Sequence, residues 1–236
     1  MVSGFHISRR AMIRNLLLAS GFAPAMMAAL SHANANSNAP IVPGVQERSG
    51  DVRLNGRPAE VGQLVSPGDI CTTGADGSCV IVIGEHVYLL RENSEIEFYA
   101  EDFEKSENGF ISGKIKILAG AMLAVFGKTE TSIATPMVTI GIRGTACYTQ
   151  VQRDRTYACV CYGVADLSDP ISGEVLERVV TKHHDSPRYV YAPDASNASG
   201  RVEKALVIDH TDAELRMLEA LVGREPPFDK AGAEPY

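Results

Sequence analysis

The chain has 236 residues, 45% of them hydrophobic, which is enough material for one full-sized domain with a buried core. Its formal charge of −7 argues against nucleic acid as a partner, because phosphate binding needs clustered Lys and Arg. The same acidity disfavours docking on anionic lipid.

The first 35 residues read as an export signal and not as part of the fold. Ser8-Arg9-Arg10-Ala11-Met12-Ile13-Arg14 follows the twin-arginine export pattern, a moderately apolar stretch covers 16–30, and Ala33-Asn34-Ala35 is a small-x-small cleavage site. An ordinary secretion signal or an uncleaved anchor is the alternative. Residues 15–30 are short for a membrane span of about 20 apolar residues, and Asn15, Ser20, Gly21 and Pro24 interrupt them. The expectation is a periplasmic protein starting at Asn36, without a transmembrane span. Removing three arginines and no acid takes its formal charge from −7 to −10.

Residues 36–43, rich in Ser, Asn, Ala and Pro, read as a disordered tether. From 44 to 193, Gly, Pro, Asn or Asp recur at intervals of about 8 to 12 residues between short β-branched runs. This pattern predicts an all-β fold: a single β-sandwich or β-roll domain of mostly antiparallel short strands. Asn55-Gly56 in residues 51–57 is a hairpin signal. Residues 79–83 (CVIVI) read as a strand covered on both faces, while 95–98 and 114–117 alternate and read as strands with one wet face. Residues 194–236 hold one C-terminal helix and a loose tail. Thr211 caps the helix and Glu214 completes a capping box; Gly223 stops it, and Pro226-Pro227 close it off.

Three stretches resemble the FecR domain family across about residues 50–167: VSPGDICTTGADGS at 65–78, LLRENSEI at 89–96, and IATPMVTIGIRGT at 133–145, the most specific of them. The resemblance implies an extracytoplasmic β-rich module, a signal relay or interaction domain and seldom an enzyme, with an envelope protein as possible partner. The family's founding members carry a cytoplasmic anti-sigma segment and a membrane helix before this domain, and neither is read in this sequence. The residues themselves give the last motif a physical account. Pro136 pushes Thr135 toward an extended conformation. Gly141 and Gly144 let the backbone bulge on either side of Arg143, a structural anchor for a carboxylate or for carbonyls at a neighbouring loop.

The five cysteines (71, 79, 147, 159, 161) form an odd set, so at least one thiol stands outside any intramolecular disulfide scheme. Oxidised pairing is the default outside the cytoplasm, but twin-arginine export carries folded proteins whose metal-bound cysteines can survive. Cys159 and Cys161 share a strand face by alternation. If Arg153-Asp154-Arg155 form a three-residue turn, paired residue numbers sum to 308 and Cys147 faces Cys161 on that side. A two- or four-residue turn sends Cys147 to the other face.

The expected site combines Cys147, Cys159 and Cys161 with His183 or His184, and Asp185 fixes an imidazole tautomer. Thiolate with imidazole suits an iron-sulfur cluster or zinc. The plainer alternative bonds Cys147 to Cys159 or Cys161 and leaves the histidines as loop residues. Cys71 and Cys79 flank a short turn and are expected to staple that hairpin as a structural disulfide. His86 and His210 stand alone and read as structural, Glu95 and Glu97 as a solvated face, and Asn197-Ala198-Ser199 as a polar loop. No local motif supports catalysis. The reading is therefore redox or metal sensing or electron transfer through a Cys/His site; the alternative is a non-catalytic envelope interaction or signalling module with structural disulfides.

Overall fold

The computed structural model describes residues 40–105, 111–192 and 200–229. The export signal, residues 36–39 of the tether and Asn197-Ala198-Ser199 lie outside them. None of the described helices is long and apolar enough to cross a membrane.

The protein is all-β with one C-terminal helix. Its strands are β1 (Gly44–Ser49), β2 (Val52–Leu54), β3 (Arg57–Pro58), β4 (Ile70–Thr73), β5 (Ser78–Ile83), β6 (His86–Leu90), β7 (Glu95–Lys105), β8 (Ile111–Val125), β9 (Glu130–Ala134), β10 (Thr139–Val151), β11 (Arg155–Ser168), β12 (Val175–Thr181), β13 (Arg188–Tyr191) and β14 (Val202–Lys204). They join in one continuous open sheet. Every pairing is antiparallel except that of β8 with β9. The predicted hairpin reverses at Asn55 and Gly56, both at positive φ, between β2 and β3.

Strand β8 organises the sheet. Its first part pairs with β7 and β9, and its last residues pair with β6 and β10. The change of direction falls at Gly120, whose φ is +77° and where a Cβ would collide with Ser94 Oγ. Ser94 Oγ in turn donates to the Ala121 carbonyl at 3.0 Å. The Glu92-Asn93-Ser94 corner therefore serves as a clasp on the bend.

Alternation along the strands builds a core on each face. Cys79, Ile81 and Ile83 of β5, Tyr88 and Leu90 of β6, and Met122 and Ala124 of β8 enter the larger cluster. Their neighbours Val80, Val82, Val87, Leu89, Leu123 and Val125 enter a second cluster. This explains the unbroken apolar run at 79–83. The second cluster is covered by helix α1 (Asp212–Leu221), capped by Thr211 with the full capping box to Glu214. Leu215, Met217, Leu218 and Val222 supply its apolar face.

The Gly141–Arg143 segment pairs in unbroken register with β9, and the irregularity falls next to Gly144 instead. Arg143 meets Glu130 at 3.1 Å, but both side chains are more than 70% exposed, so the anchor contributes little stability. Cys71 and Cys79 sit on strands that are not partners: β4 pairs with β2 and β7, whereas β5 pairs with β1 and β6. They are therefore not the two arms of a hairpin. Both are buried free thiols, hydrogen-bonded to each other, which lowers the pKa of Cys71 and raises that of Cys79.

Candidate metal centre

The turn between β10 and β11 settles the position of Cys147. Val151 pairs with Thr156, and the Gln152 N–H donates to the Arg155 carbonyl at 2.9 Å, leaving a two-residue reversal at Arg153-Asp154. The pairing sum is therefore odd: Cys147 lies opposite Val160, and Tyr148 opposite Cys159. Cys147 belongs to the larger core with Val160, while Cys159 and Cys161 point to the helix-covered face. The expected three-thiol face is corrected to two. Burial pushes the Cys147 thiol up to about 12, and its Sγ lies 3.4 Å from Thr149 Oγ1.

On the helix side the two cysteines meet histidines for a topological reason. Along one edge of β11, residues 163–168 pair with β12 and 155–158 pair with β13. The positions between them, including Cys159 and Cys161, are flanked instead by the loop 182–187. The His184 N–H donates to the Cys161 carbonyl at 2.9 Å, and His184 takes φ +49° to do so. Its ring turns over the thiols, with Nδ1 3.6 Å from Cys159 Sγ.

The fourth group is His210, which sequence reasoning treated as an isolated structural residue. It lies just ahead of α1, stacked on Tyr148 with ring centroids 4.8 Å apart. The donor atoms of Cys159, Cys161, His184 and His210 all lie within 4.8 Å of one another. All but His184 are buried residues.

The outer nitrogens of both rings are already committed. His184 Nε2 lies 3.1 Å from Asp212 Oδ1, and His210 Nδ1 lies 2.6 Å from the Ile208 carbonyl. Carboxylate and carbonyl oxygens only accept, so each ring carries its N–H there. The remaining nitrogens, His184 Nδ1 and His210 Nε2, then face each other as lone pairs at 2.9 Å. Two lone pairs at that separation require a cation between them, either a proton or a metal. A tetrahedral ion with ligand bonds of about 2.0 to 2.3 Å spaces its donors by about 3.3 to 3.8 Å, so the cluster fits a single ion with small adjustments.

Electrostatics favours the same arrangement. The Cys161 thiol lowers the Cys159 pKa well below the usual thiol range; burial opposes this, and His184 and His210 assist it. Burial and the neighbouring Cys159 push Cys161 up. Burial disfavours the His184 imidazolium, but Asp212 and Cys159 outweigh it and raise the ring to about 9. These shifts favour a His184 imidazolium beside a Cys159 thiolate.

His183 does not join the thiols. Its Nε2 shares Asp212 Oδ1 with His184, at 2.8 Å. Burial raises the Asp212 pKa, but the hydrogen bonds from His184 and His183 prevail and hold it at about 2. His183, His184 and Asp212 are themselves close enough to hold an ion. Because that trio uses the His184 nitrogen whose proton Asp212 accepts, its chemistry is the orientation of His184. Asp185, the expected orienting carboxylate, instead accepts from Lys182 N at 3.4 Å within its own turn. Asp212 takes its place, and the only local signal for that residue was its position in the first turn of a capped helix.

No family model matches this chain, and no curated protein does. Two solved structures of a candidate anti-sigma factor from Parabacteroides distasonis ATCC 8503 are similar to it, each with a TM-score of 0.45 and 10% sequence identity. Each match covers 58% of this chain and 59% of that one. A likeness that slight leaves the FecR resemblance resting on the sequence motifs.

Proposed function

We propose that this chain is a FecR-like extracytoplasmic β module, non-catalytic, which binds one thiophilic ion through Cys159, Cys161, His184 and His210 and works as a metal-dependent signalling or interaction domain. The observation that carries the reading is the convergence of four donor atoms within 4.8 Å of one another, with the outer nitrogens of both rings tied to Asp212 and to Ile208. Zinc is the favoured ion, because two thiolates and two imidazoles are a closed tetrahedral set for it. A two-iron cluster needs two irons and bridging sulfides between its cysteine and histidine pairs, whereas Cys159 Sγ is 3.6 Å from His184 Nδ1. With four protein ligands no position remains for substrate, which supports a structural or regulatory role over catalysis.

An interaction role draws separate support from the β11–β12 edge. There Val164 and Val180 pair directly while remaining 42% and 65% exposed.

The test is metal analysis and an absorption spectrum of protein purified anaerobically from the cytoplasm. A colourless protein with one zinc per chain is expected. A correctly folded, metal-free chain defeats the site, and a coloured iron protein defeats the choice of zinc.

A further inference from the structure

The four ligands come from three separate parts of the chain. Cys159 and Cys161 lie on β11, His184 lies in the loop between β12 and β13, and His210 lies on the strap 205–211 that leads from β14 into α1. Asp212, which orients His184, is the first residue of the helix. An ion in this position would tie the start of α1 to β11.

The helix is held in place by its contacts and not by its own length. With ten residues it is shorter than the roughly 12 to 15 at which isolated helices become even marginal in water. Its place on the sheet depends on Leu215, Met217, Leu218 and Val222 against Val80, Val82, Val87, Leu89, Leu123 and Val125. Polar ties also run along the segment: Arg91 to Glu214 at 2.7 Å, Arg91 to the Asp209 carbonyl at 3.0 Å, the Tyr157 hydroxyl to the Leu206 carbonyl at 3.0 Å, and the Tyr162 hydroxyl to Glu219 in mid-helix. At the far end Arg224 reaches the Glu85 carbonyl at 2.8 Å.

We infer that occupancy of the Cys159, Cys161, His184 and His210 site latches residues 205–229 onto the sheet, and that loss of the ion releases this segment and uncovers the apolar face beneath it. The inference rests on the proposed metal site and adds what the ion controls. An ion stabilises docking by the ratio of the factors 1 + [M]/Kd of the docked and the released states; Cys159, Cys161 and His184 stay together on release, so the gain is the affinity that His210 adds. At free zinc 100 times the docked-state Kd, opening of the segment becomes rarer by at most about 100-fold.

Hydrogen exchange on the full chain, with free zinc buffered at that level or removed by a chelator, reads this directly. Amides of α1 should exchange more slowly with zinc, by up to about 100-fold. Amides of β2 and β4, remote from the ligands, should not change and report that the fold persists. The His210→Ala variant should abolish the zinc effect on α1, whatever ion the remaining three ligands retain. If one zinc binds per chain and α1 exchange is unchanged, the latch is wrong and the metal site stands. If no zinc binds, both fall together.

Discussion

Replacing Asp212 with asparagine removes one negative charge and changes little else in shape. In the native protein Oδ1 accepts from His183 Nε2 at 2.8 Å and from His184 Nε2 at 3.1 Å. The substituted amide would keep an accepting oxygen but lose the charge that makes the His184 ring a stronger donor to metal. Loss of an orienting carboxylate behind a ligating histidine costs about 10- to 100-fold in metal affinity, or about 1.4 to 2.7 kcal/mol. A second effect appears without metal, because Asp212 lies in the first turn of α1, where an anion adds about 0.3 to 1 kcal/mol. Competition with a chromophoric zinc chelator at constant pH measures the first effect, and urea unfolding of the metal-free protein measures the second. Asp185→Asn is the control, since Asp185 lies close in sequence but bonds within its own turn, and it should leave affinity unchanged. An Asp212→Asn affinity within about threefold of native, or an equal loss in Asp185→Asn, would refute the assignment of the orienting carboxylate.

Three further outcomes follow from the same geometry. Cys147→Ala should leave zinc stoichiometry and affinity as they are but lower stability by about 1 to 2 kcal/mol through the small cavity it opens, measurable by denaturant unfolding. Glu47 has its pKa raised by burial from 4.5 to about 7, so the folded state holds this proton more tightly than the unfolded chain. Its contribution is full below about pH 4.5 and is lost as pH rises toward 7. Glu47→Gln should thus raise the midpoint of thermal unfolding near pH 8 and not near pH 4. Refolding with oxidised glutathione, which takes up the two electrons and two protons, should join the adjacent Cys71 and Cys79 thiols and stabilise the chain by about 2 to 3 kcal/mol. Peptide mapping that finds both alkylated after refolding would rule that bond out.

What the sequence made legible was local. The helix at 212–221 was readable because Thr211 and Glu214 form a reciprocal cap within one turn, and Gly223 ends it at φ +69°. The Asn55-Gly56 reversal and the two-sided strand at 79–83 follow from residue type and alternation alone. The face of Cys147 did not, because one residue decides it. Arg155 looks like a turn residue, yet its carbonyl closes the hairpin, its guanidinium lies 3.9 Å over the Tyr189 ring, and it pairs with Tyr191 as a strand residue. Those partners are more than 30 positions away, so the local sequence cannot weigh them. His210 and Asp212 were missed for the same reason. They reach the site through the return of the strap over β11, which Tyr157 holds by accepting from the Ile208 N–H at 3.3 Å. The thiols at 71 and 79 show the converse: their adjacency was legible from spacing, while the strands carrying them pair elsewhere.

X-ray absorption at the zinc edge of the purified full chain tests the central claim most directly. The account predicts two sulfur neighbours at about 2.3 Å and two imidazole nitrogens at about 2.0 Å. A shell with three sulfurs, or with oxygen in place of the histidine nitrogens, would contradict it.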